Sequence, residues 1–188
     1  MSSYRDTRIL GADELRAFFG AVDGHLTTRA SIVVIGGAAA AFHLAESTTN
    51  DVDTLDALTA DLQAAVEQAC ASTGLSVPIG PSTVAQVPYR YDERLERVLP
   101  HLEKLEVCIL EKHDLALSKI VRGVEHDMQQ LEEVHRNSGF DFETLVDRFA
   151  TEMGSVVGDH QRIRLNFLEL IERLFGELKR VVAEQRLK

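Results

Sequence analysis

The stretch IVVIGGAAAAFHLAESTTNDVDTL, residues 32–55, limits the folds open to this chain more than any other segment. It begins with a short, continuous apolar run rich in β-branched residues, which is typical of a central strand buried on both faces. Gly36 and Gly37 let the backbone turn sharply into an alanine-rich segment, a strong helix former. A second apolar strand follows and carries Asp51 and Asp53. The order predicts a strand, a tight turn, a helix and a second strand.

The two aspartates are separated by one residue, and residues two apart on a strand point to the same side. Asp51 and Asp53 should therefore present two carboxylates whose repulsion favours a cation between them. Mg²⁺ prefers carboxylate oxygens and keeps positions open for waters and substrate phosphates. The backbone N–H groups of Gly36 and Gly37, at the start of a helix, are suited to a phosphate. The combination indicates phosphoryl or nucleotidyl transfer.

Periodicity along the rest of the chain predicts an α+β protein with an α/β core over residues 1–112 and a helical C-terminal region over residues 113–188. We expect helices over residues 11–26 and 59–74, capped by Asp13 and by Thr59 or Asp61. KLEVCIL, residues 104–110, is predicted to be a strand with Leu105, Val107 and Ile109 on one face. Residues 75–103 should be loops and edge strands, because all four prolines lie there.

The helical region is predicted to begin with a long helix, capped by Asp114 and broken or softened at Gly123. Further helices follow over residues 140–153 and 162–186. The last of these shows an apolar stripe of seven residues: Leu165, Leu168, Ile171, Leu174, Phe175, Leu178 and Val182. This stripe could bury against the protein itself or against a second copy.

Composition excludes several classes of protein. At 188 residues and 45% apolar content the chain can bury a core as one domain, or as one domain with a helical lobe. The net charge of −10 argues against broad, sequence-blind nucleic-acid binding, although a local basic surface is compatible with it. Cys70 and Cys108 are too few for a zinc or disulfide framework and are predicted to be core thiols. Without an apolar span or leader pattern, we expect a cytoplasmic protein with no membrane partner.

The order of these motifs resembles the DNA polymerase beta-like nucleotidyltransferases, whose signature is a Gly-Gly or Gly-Ser pair after one strand and Asp-x-Asp on the next. Gly36, Gly37, Asp51 and Asp53 match it, and Thr49 completes the Thr-x-Asp-x-Asp form of minimal bacterial members. The resemblance implies a mixed sheet with flanking helices and a C-terminal helical bundle. It also implies a nucleotide site that includes the two glycines and Thr49, with metal bound by the two aspartates.

A second segment, HDLALSKIVRGVEHD, resembles a helix of uncharacterised bacterial nucleotidyltransferase-like proteins and abortive-infection toxin relatives. The resemblance implies that Lys119, Arg122 and Asp127 belong to the nucleotide site, with the two cations, three residues apart on one helix face, reaching triphosphate oxygens. Where related helices often carry a further Asp, this chain has Gln130. Active superfamily members usually have a third catalytic carboxylate on a later strand, and Glu106 is the candidate here.

Two other readings of these motifs are weaker. The His113-Asp114 and His126-Asp127 pairs resemble HD phosphohydrolases, but His101 and His135 do not supply the further ligands at the required spacing. IGGAAAAF lacks the third glycine of a dinucleotide-binding turn. We therefore expect an enzyme that uses Mg²⁺ or Mn²⁺ to move a nucleoside monophosphate from an NTP to an acceptor hydroxyl.

The acceptor would be RNA or a protein, and the resemblance suggests the toxin of a toxin–antitoxin pair, with an antitoxin or a second copy as partner. The alternative is a catalytically idle nucleotidyltransferase-like module. Such a module would act by binding a nucleotide or a protein partner.

Overall fold

The computed structural model describes residues 9–44, 47–82 and 86–188. These residues form two compact units. The first holds the described residues up to 82 together with Leu95–Ile109, and the second holds residues 86–94 together with Leu110–Lys188. The first is a mixed sheet with flanking helices and the second is helical, which confirms the predicted α+β class. The division predicted at residues 112 and 113 stays a prediction.

The strands of the first unit are β1 Ala30–Ile35, β2 Val52–Thr54, β3 Ile79–Pro81, β4 Glu96–Val98 and β5 Leu105–Ile109, and its helices are α1 Ala12–His25, α2 Gly36–His43 and α3 Ala60–Thr73. The second unit contains a 3₁₀ turn at Tyr91–Arg94 and the helices α4 Lys112–Arg122, α5 Glu125–Ser138, α6 Phe142–Glu152, α7 His160–Phe175 and α8 Glu177–Arg186. None of these helices is long and apolar enough to span a membrane, as far as the chain is described.

The sheet has the strand order β3-β2-β1-β5-β4. β1 and β5 pair in parallel at its centre, whereas β2 and β4 run antiparallel to them. Leu105, Val107 and Ile109 lie on the buried face of β5, as their alternation predicted. The opposite face, which we call the open face, carries buried Ile35 and otherwise residues that are exposed or half-buried: Ser31, Val33, Asp53, Arg97, Glu106 and Cys108.

Helix starts follow local side-chain chemistry in the first unit. The Thr59 hydroxyl accepts the Leu62 N–H at the start of α3, so the predicted cap is confirmed. The prediction of Asp13 as the cap of α1 is wrong, because the N-cap residue is Gly11. The carboxylate of Glu14 accepts the Gly11 N–H at 3.0 Å and so performs the capping.

Asp23 fixes the start of β5. Its carboxylate accepts the N–H groups of Lys104 and Leu105, both at 2.7 Å. Burial would raise the pKa of Asp23, but these backbone hydrogen bonds outweigh it and lower the pKa. The Lys104 Nζ in turn donates to the Leu26 carbonyl at 2.6 Å. The amino end of β5 is therefore tied to the segment that leads into β1.

Gly123 separates α4 from α5, as the sequence predicted. Its φ of +61° is left-handed, and its N–H donates to the Lys119 carbonyl at 3.0 Å. The Asn166 amide, from α7, donates to the Ile120 carbonyl at 2.8 Å. A Cβ at Gly123 would lie 2.1 Å from that amide nitrogen, so a glycine is needed both for the backbone and for space.

Three sequence predictions fail in detail. The N-cap residue of α4 is Glu111, whose carboxylate accepts the His113 N–H, whereas Asp114 is fully buried in ion pairs. Gly176 ends α7 with φ +87°, so the apolar stripe is interrupted and Leu178 is 85% exposed. Cys70 and Cys108 are half-buried, not core thiols.

Two predicted segments extend beyond the described residues. The alanine-rich helix is predicted to end at Ala45, and the predicted loop region includes residues 83–85.

Candidate functional site

Gly36 stands at the carboxyl end of β1, beside Asp53. The register pairs Ile35 with Asp53, so the aspartate side chain lies next to the turn. Gly36 has φ +66°, and a Cβ there would lie 2.9 Å from Asp53 Oδ2. A glycine is thus required by the backbone conformation and by the close approach of a carboxylate. The Gly-Gly turn and the second aspartate of Asp-x-Asp meet at one point.

Gly37 makes the matching contact with Thr49. A Cβ at Gly37 would lie 2.8 Å from Thr49 Oγ1. The Thr49 backbone pairs with Leu10 through two hydrogen bonds of 2.7 and 2.9 Å, and the residue is buried. Its hydroxyl lies 3.0 Å from the Asp51 carbonyl oxygen and 3.2 Å from Asp51 Oδ1. Thr49 is therefore anchored by its backbone and orients Asp51.

The two aspartates differ in setting. Asp53 belongs to β2 and is half-buried, whereas Asp51 is exposed in a bend one residue before the strand begins at Val52. The prediction of one strand through both residues is therefore wrong at Asp51. The carboxylate of Asp51 is oriented by the Thr49 hydroxyl instead of by strand pleating.

Glu106 lies on the open face, which is also the face of Asp53. Its backbone pairs with Ser31, however, whereas Asp53 pairs with Ile35, four residues further along β1. At a rise of about 3.3 Å per residue, these two levels of the sheet are about 13 Å apart. Glu106 is half-exposed and its carboxylate is 3.9 Å from the Arg97 guanidinium. β5 ends at Ile109, opposite Val34, and so stops one residue short of the level of Asp53.

Lys119, Arg122 and Asp127 come together within the helical unit. Asp127 is buried and accepts Arg122 Nε and Nη2 in a fork at 2.8 and 2.7 Å. Lys119, also buried, places its Nζ 2.9 Å from Asp127 Oδ1 and 2.8 Å from Gln130 Oε1. Burial would raise the pKa of Asp127, but the two cations outweigh it and lower the pKa. The Arg122 side chain remains 61% exposed.

Gln130 completes this cluster at the position where related helices often carry an Asp. Its neutral amide oxygen accepts a hydrogen bond from Lys119 at 2.8 Å. Asp127 is therefore the carboxylate that Lys119 and Arg122 share.

Sequence reasoning missed a larger buried ion cluster in the helical unit. Asp114 accepts Arg94 at 2.8 Å and Arg148 at 2.9 Å, and Arg94 also donates to Glu152 at 2.6 Å. Burial would lower the pKa of Arg94, but the hydrogen bonds to the two carboxylates raise it. The three elements involved are distant in sequence, so only the alternation of opposite charges in YDERLERV hinted at pairing.

Glu111 and His113 extend that cluster. His113 Nδ1 lies 2.6 Å from Glu111 Oε1, while its Nε2 accepts the Asp141 N–H at 2.9 Å. This assigns the neutral ring with the proton on Nδ1. Arg148 donates to the other oxygen of Glu111 at 2.6 Å. Burial would raise the pKa of Glu111, but these partners lower it to about 2. The HD dipeptide at 113–114 is thus used in structural contacts.

Comparison with known protein families shows which family this chain belongs to. A family described as "Nucleotidyltransferase of unknown function (DUF6036)" matches residues 14–174, which is most of the chain. The chain belongs to this family. The match supports the predicted relationship to nucleotidyltransferases and, at that coarse level, a transferase acting on a nucleotide. Neither the curated proteins nor the solved structures contain a match to this nucleotidyltransferase-family chain.

The residues at the Gly-Gly turn fit a hard divalent ion as two of its ligands. Asp51 and Asp53 supply carboxylate oxygens, the donor type that Mg²⁺ and Mn²⁺ prefer, and the Asp53 carboxylate lies directly against the glycine turn. Among the described residues there is no group of three or more His, Cys, Asp or Glu side chains arranged to hold a metal. A metal here would complete its shell with water and substrate oxygens.

Proposed function

We propose that this protein transfers a nucleoside monophosphate from an NTP to an acceptor hydroxyl, with Mg²⁺ or Mn²⁺ held by Asp51 and Asp53. The observation that carries the proposal is the double contact at the turn, where Gly36 meets Asp53 and Gly37 meets Thr49. Both glycines are needed for these contacts, which hold the backbone turn against the Asp53 carboxylate and against the Thr49 hydroxyl that orients Asp51. A buried strand end would not require either feature.

Each residue has a distinct part in the proposed chemistry. The metal, when bound, would neutralise the triphosphate and stabilise charge in the transfer. The N–H groups of Gly36 and Gly37 bind phosphate oxygens, and Thr49 holds Asp51 in position. Lys119, Arg122 and Asp127 are proposed to bind the nucleotide, a role that rests on the resemblance of their helix. In that role Arg122 contacts phosphate oxygens while Asp127 and Lys119 fix its position.

The proposal extends to the acceptor and setting. The acceptor is RNA or a protein, and the protein acts in the cytoplasm as the toxin of a toxin–antitoxin pair, with an antitoxin or a second copy as partner. The acceptor and the toxin role rest on the resemblance alone. The first experiment should therefore establish whether the acceptor is RNA or protein.

The test is label transfer from each α-labelled NTP with Mg²⁺, offering total cellular RNA and total protein as acceptors. We expect label on one acceptor class, its loss when the metal is chelated, and its return when Mg²⁺ or Mn²⁺ is restored. Asp51→Asn and Asp53→Asn should lower transfer by at least about 100-fold while leaving the fold intact, since each removes a charge the transition state requires.

Asp56→Asn is the matched control, because Asp56 is an exposed aspartate of the same segment and the substitution removes the same charge. It should transfer label at the wild-type rate. Undiminished transfer in both Asp51→Asn and Asp53→Asn would refute the assignment.

The second candidate is a nucleotidyltransferase-like module that binds without catalysing. The register of Glu106 favours it, because this carboxylate lies about four residues of strand away from the level of Asp53. An NTP-binding measurement separates the two functions. NTP binding that depends on Asp53, together with no label on any acceptor, would establish the binding module.

A further inference from the structure

An open cleft of about 540 Å³ lies in the first unit, away from the Gly-Gly turn. It is formed where β1 and β5 begin, at Ala30 and Leu105, whereas the turn follows the carboxyl end of β1. Its charged and polar lining consists of Arg29, Ser31, Arg97, Glu103, Lys104 and Glu106. The proposed transfer chemistry assigns no role to this lining, in which Glu106 is the residue that the sequence predicted as a third catalytic carboxylate.

The cleft is positively charged within an acidic protein. Three cations and two carboxylates line it, giving a net +1, whereas the whole chain carries −10. Charges lining a concave surface focus their field and attract ligands of opposite sign. The most suitable ligand by charge is therefore an anion.

The cations differ in how they are engaged. Lys104 donates to the Leu26 carbonyl at 2.6 Å and is half-buried, so it serves mainly as a fixed charge. Arg97 stands 3.9 Å from Glu106, too far for a hydrogen bond. Arg29 is exposed and makes no side-chain hydrogen bond or ion pair with any residue that the structure describes. Two guanidinium groups therefore have donors to offer a ligand, and guanidinium matches phosphate oxygens in a bidentate fashion.

The cleft shares the open face with Asp53. Ser31, Val33 and Ile35 alternate along one side of β1, with Glu106 beside Ser31 and Asp53 beside Ile35. The distance along the strand is again about 13 Å. A group bound in the cleft is too far away to be the phosphate that reacts at Asp53. A linear polymer, however, is long enough to occupy the cleft with one unit and to place another unit at Asp53.

We propose that this cleft binds a phosphate of the acceptor, a single-stranded nucleic acid whose reactive hydroxyl lies at Asp53. The inference rests on the proposed function for the identity of the acceptor, but the anion-binding site itself does not. Arg29 and Arg97 contact phosphate oxygens. The negative charge of Glu106 attracts the Arg97 guanidinium and so restricts its orientation. Glu106 thereby acts in acceptor binding, in place of the predicted third metal ligand.

The test is binding of a short fluorescent single-stranded RNA of mixed sequence, measured by anisotropy without NTP or divalent metal. We expect the Arg29→Ala/Arg97→Ala double variant to bind at least tenfold more weakly than wild type. Its salt dependence should fall as well, because each phosphate contact contributes about 0.7 to the slope of log K against log salt for single strands.

Arg16→Ala is the matched control, because Arg16 lies in the same unit with a side chain 51% exposed, against 50% for Arg97. It should bind RNA as wild type does. Asp53→Asn should also bind RNA normally while losing label transfer. The RNA-binding assay and the transfer assay therefore test the two proposals separately. If the wild-type protein binds RNA through the two arginines but transfers no label, only the proposed function is overturned.

Competition identifies the source of the phosphate. Unlabelled oligonucleotide should displace the RNA, whereas inorganic phosphate and NTP at equal phosphate concentration should not. Displacement by inorganic phosphate would overturn the assignment to a nucleic acid strand. RNA binding that is absent in wild type, or unchanged in the double arginine variant, would overturn the site, as would Arg-dependent capture of a protein acceptor in its place.

Discussion

Gly37 and Thr49 pack so closely that a methyl group at position 37 would stand 2.8 Å from the Thr49 hydroxyl. That hydroxyl orients Asp51, so the contact links the glycine turn to the first aspartate. Gly37→Ala should push Thr49 aside and lower label transfer by about tenfold or more, since misplacing a catalytic group costs much of its effect.

Stability should fall by about 1 to 3 kcal/mol in this variant, because the added methyl group overpacks the contact with buried Thr49. Gly20→Ala is the control: nothing lies within 4 Å of a Cβ at Gly20, in the middle of α1. A Gly37→Ala enzyme with the wild-type transfer rate would show that the contact has no part in the reaction.

Asp127 holds two cations, and its removal should affect stability and nucleotide binding together. Asp127→Asn leaves buried Lys119 with one charged partner fewer, which we expect to lower the free energy of unfolding by about 3 kcal/mol. Urea unfolding measures it. Glu125→Gln, at an exposed position of the same helix, should cost less than about 1 kcal/mol.

Arg122→Ala should separate the two effects. The Arg122 side chain is largely exposed, but it forms a fork on buried Asp127. Its loss should lower the free energy of unfolding by about 1 to 3 kcal/mol, with Lys119 left as a charged partner of Asp127. If Arg122 binds the triphosphate, NTP affinity should fall by about tenfold or more, because a charge-assisted hydrogen bond contributes about 1.5 to 3 kcal/mol. NTP affinity equal to that of wild type would restrict the cluster to a structural role.

Gly123 and Asn166 together join α4 to α7. Gly123→Ala forces an alanine into φ +61° and brings its methyl group against the Asn166 amide. The amide would have to give up the Ile120 carbonyl, so we expect a loss of about 2 to 3 kcal/mol in urea unfolding. Gly139→Ala is a useful comparison, because φ there is +63° but no atom lies within 4 Å of the added Cβ. A loss at Gly123 no larger than at Gly139 would show that Asn166 moves without cost.

The sequence identifies the parts of the fold that depend on local patterns. The apolar run, Gly-Gly and Thr59 predicted β1, the turn and the start of α3, because strand burial, left-handed backbone and helix capping leave local signatures. The register of Glu106 against Ser31 could not be predicted. Alternation fixes the face of a strand residue, but only pairing between distant strands fixes its level along the sheet.

The same limit explains the buried ions. Asp114 looks like a helix cap because it lies in the first turn of α4, and its partners Arg94 and Arg148 are 20 and 34 residues away. A helix-surface pair at i, i+3, such as Lys119 and Arg122, is visible in the sequence. Its common partner Asp127 belongs to the next helix and depends on the turn at Gly123.

Glu111 should make the stability of the helical unit depend on acid. Its pKa is about 2 in the folded protein, against a usual value of 4.5. Between these values the unfolded chain binds more protons than the folded one, so stability rises with pH across this window. The stabilisation is complete above about pH 4.5 and is lost as the pH falls towards 2. Unfolding free energies from urea titrations at a series of pH values measure the slope.

Glu111→Gln isolates this contribution. The amide keeps the shape but cannot ionise, so it should lower stability at neutral pH by about 2 kcal/mol through its weaker bonds to Arg148 and His113. The difference from wild type should shrink steadily as the pH falls below 4.5, because protonation removes the same charge from the wild-type residue. Glu143→Gln, at an exposed pair with Arg186, should leave most of the acid slope unchanged. A constant difference between Glu111→Gln and wild type from neutral pH to pH 3 would mean that Glu111 is not ionised by its partners in the folded state.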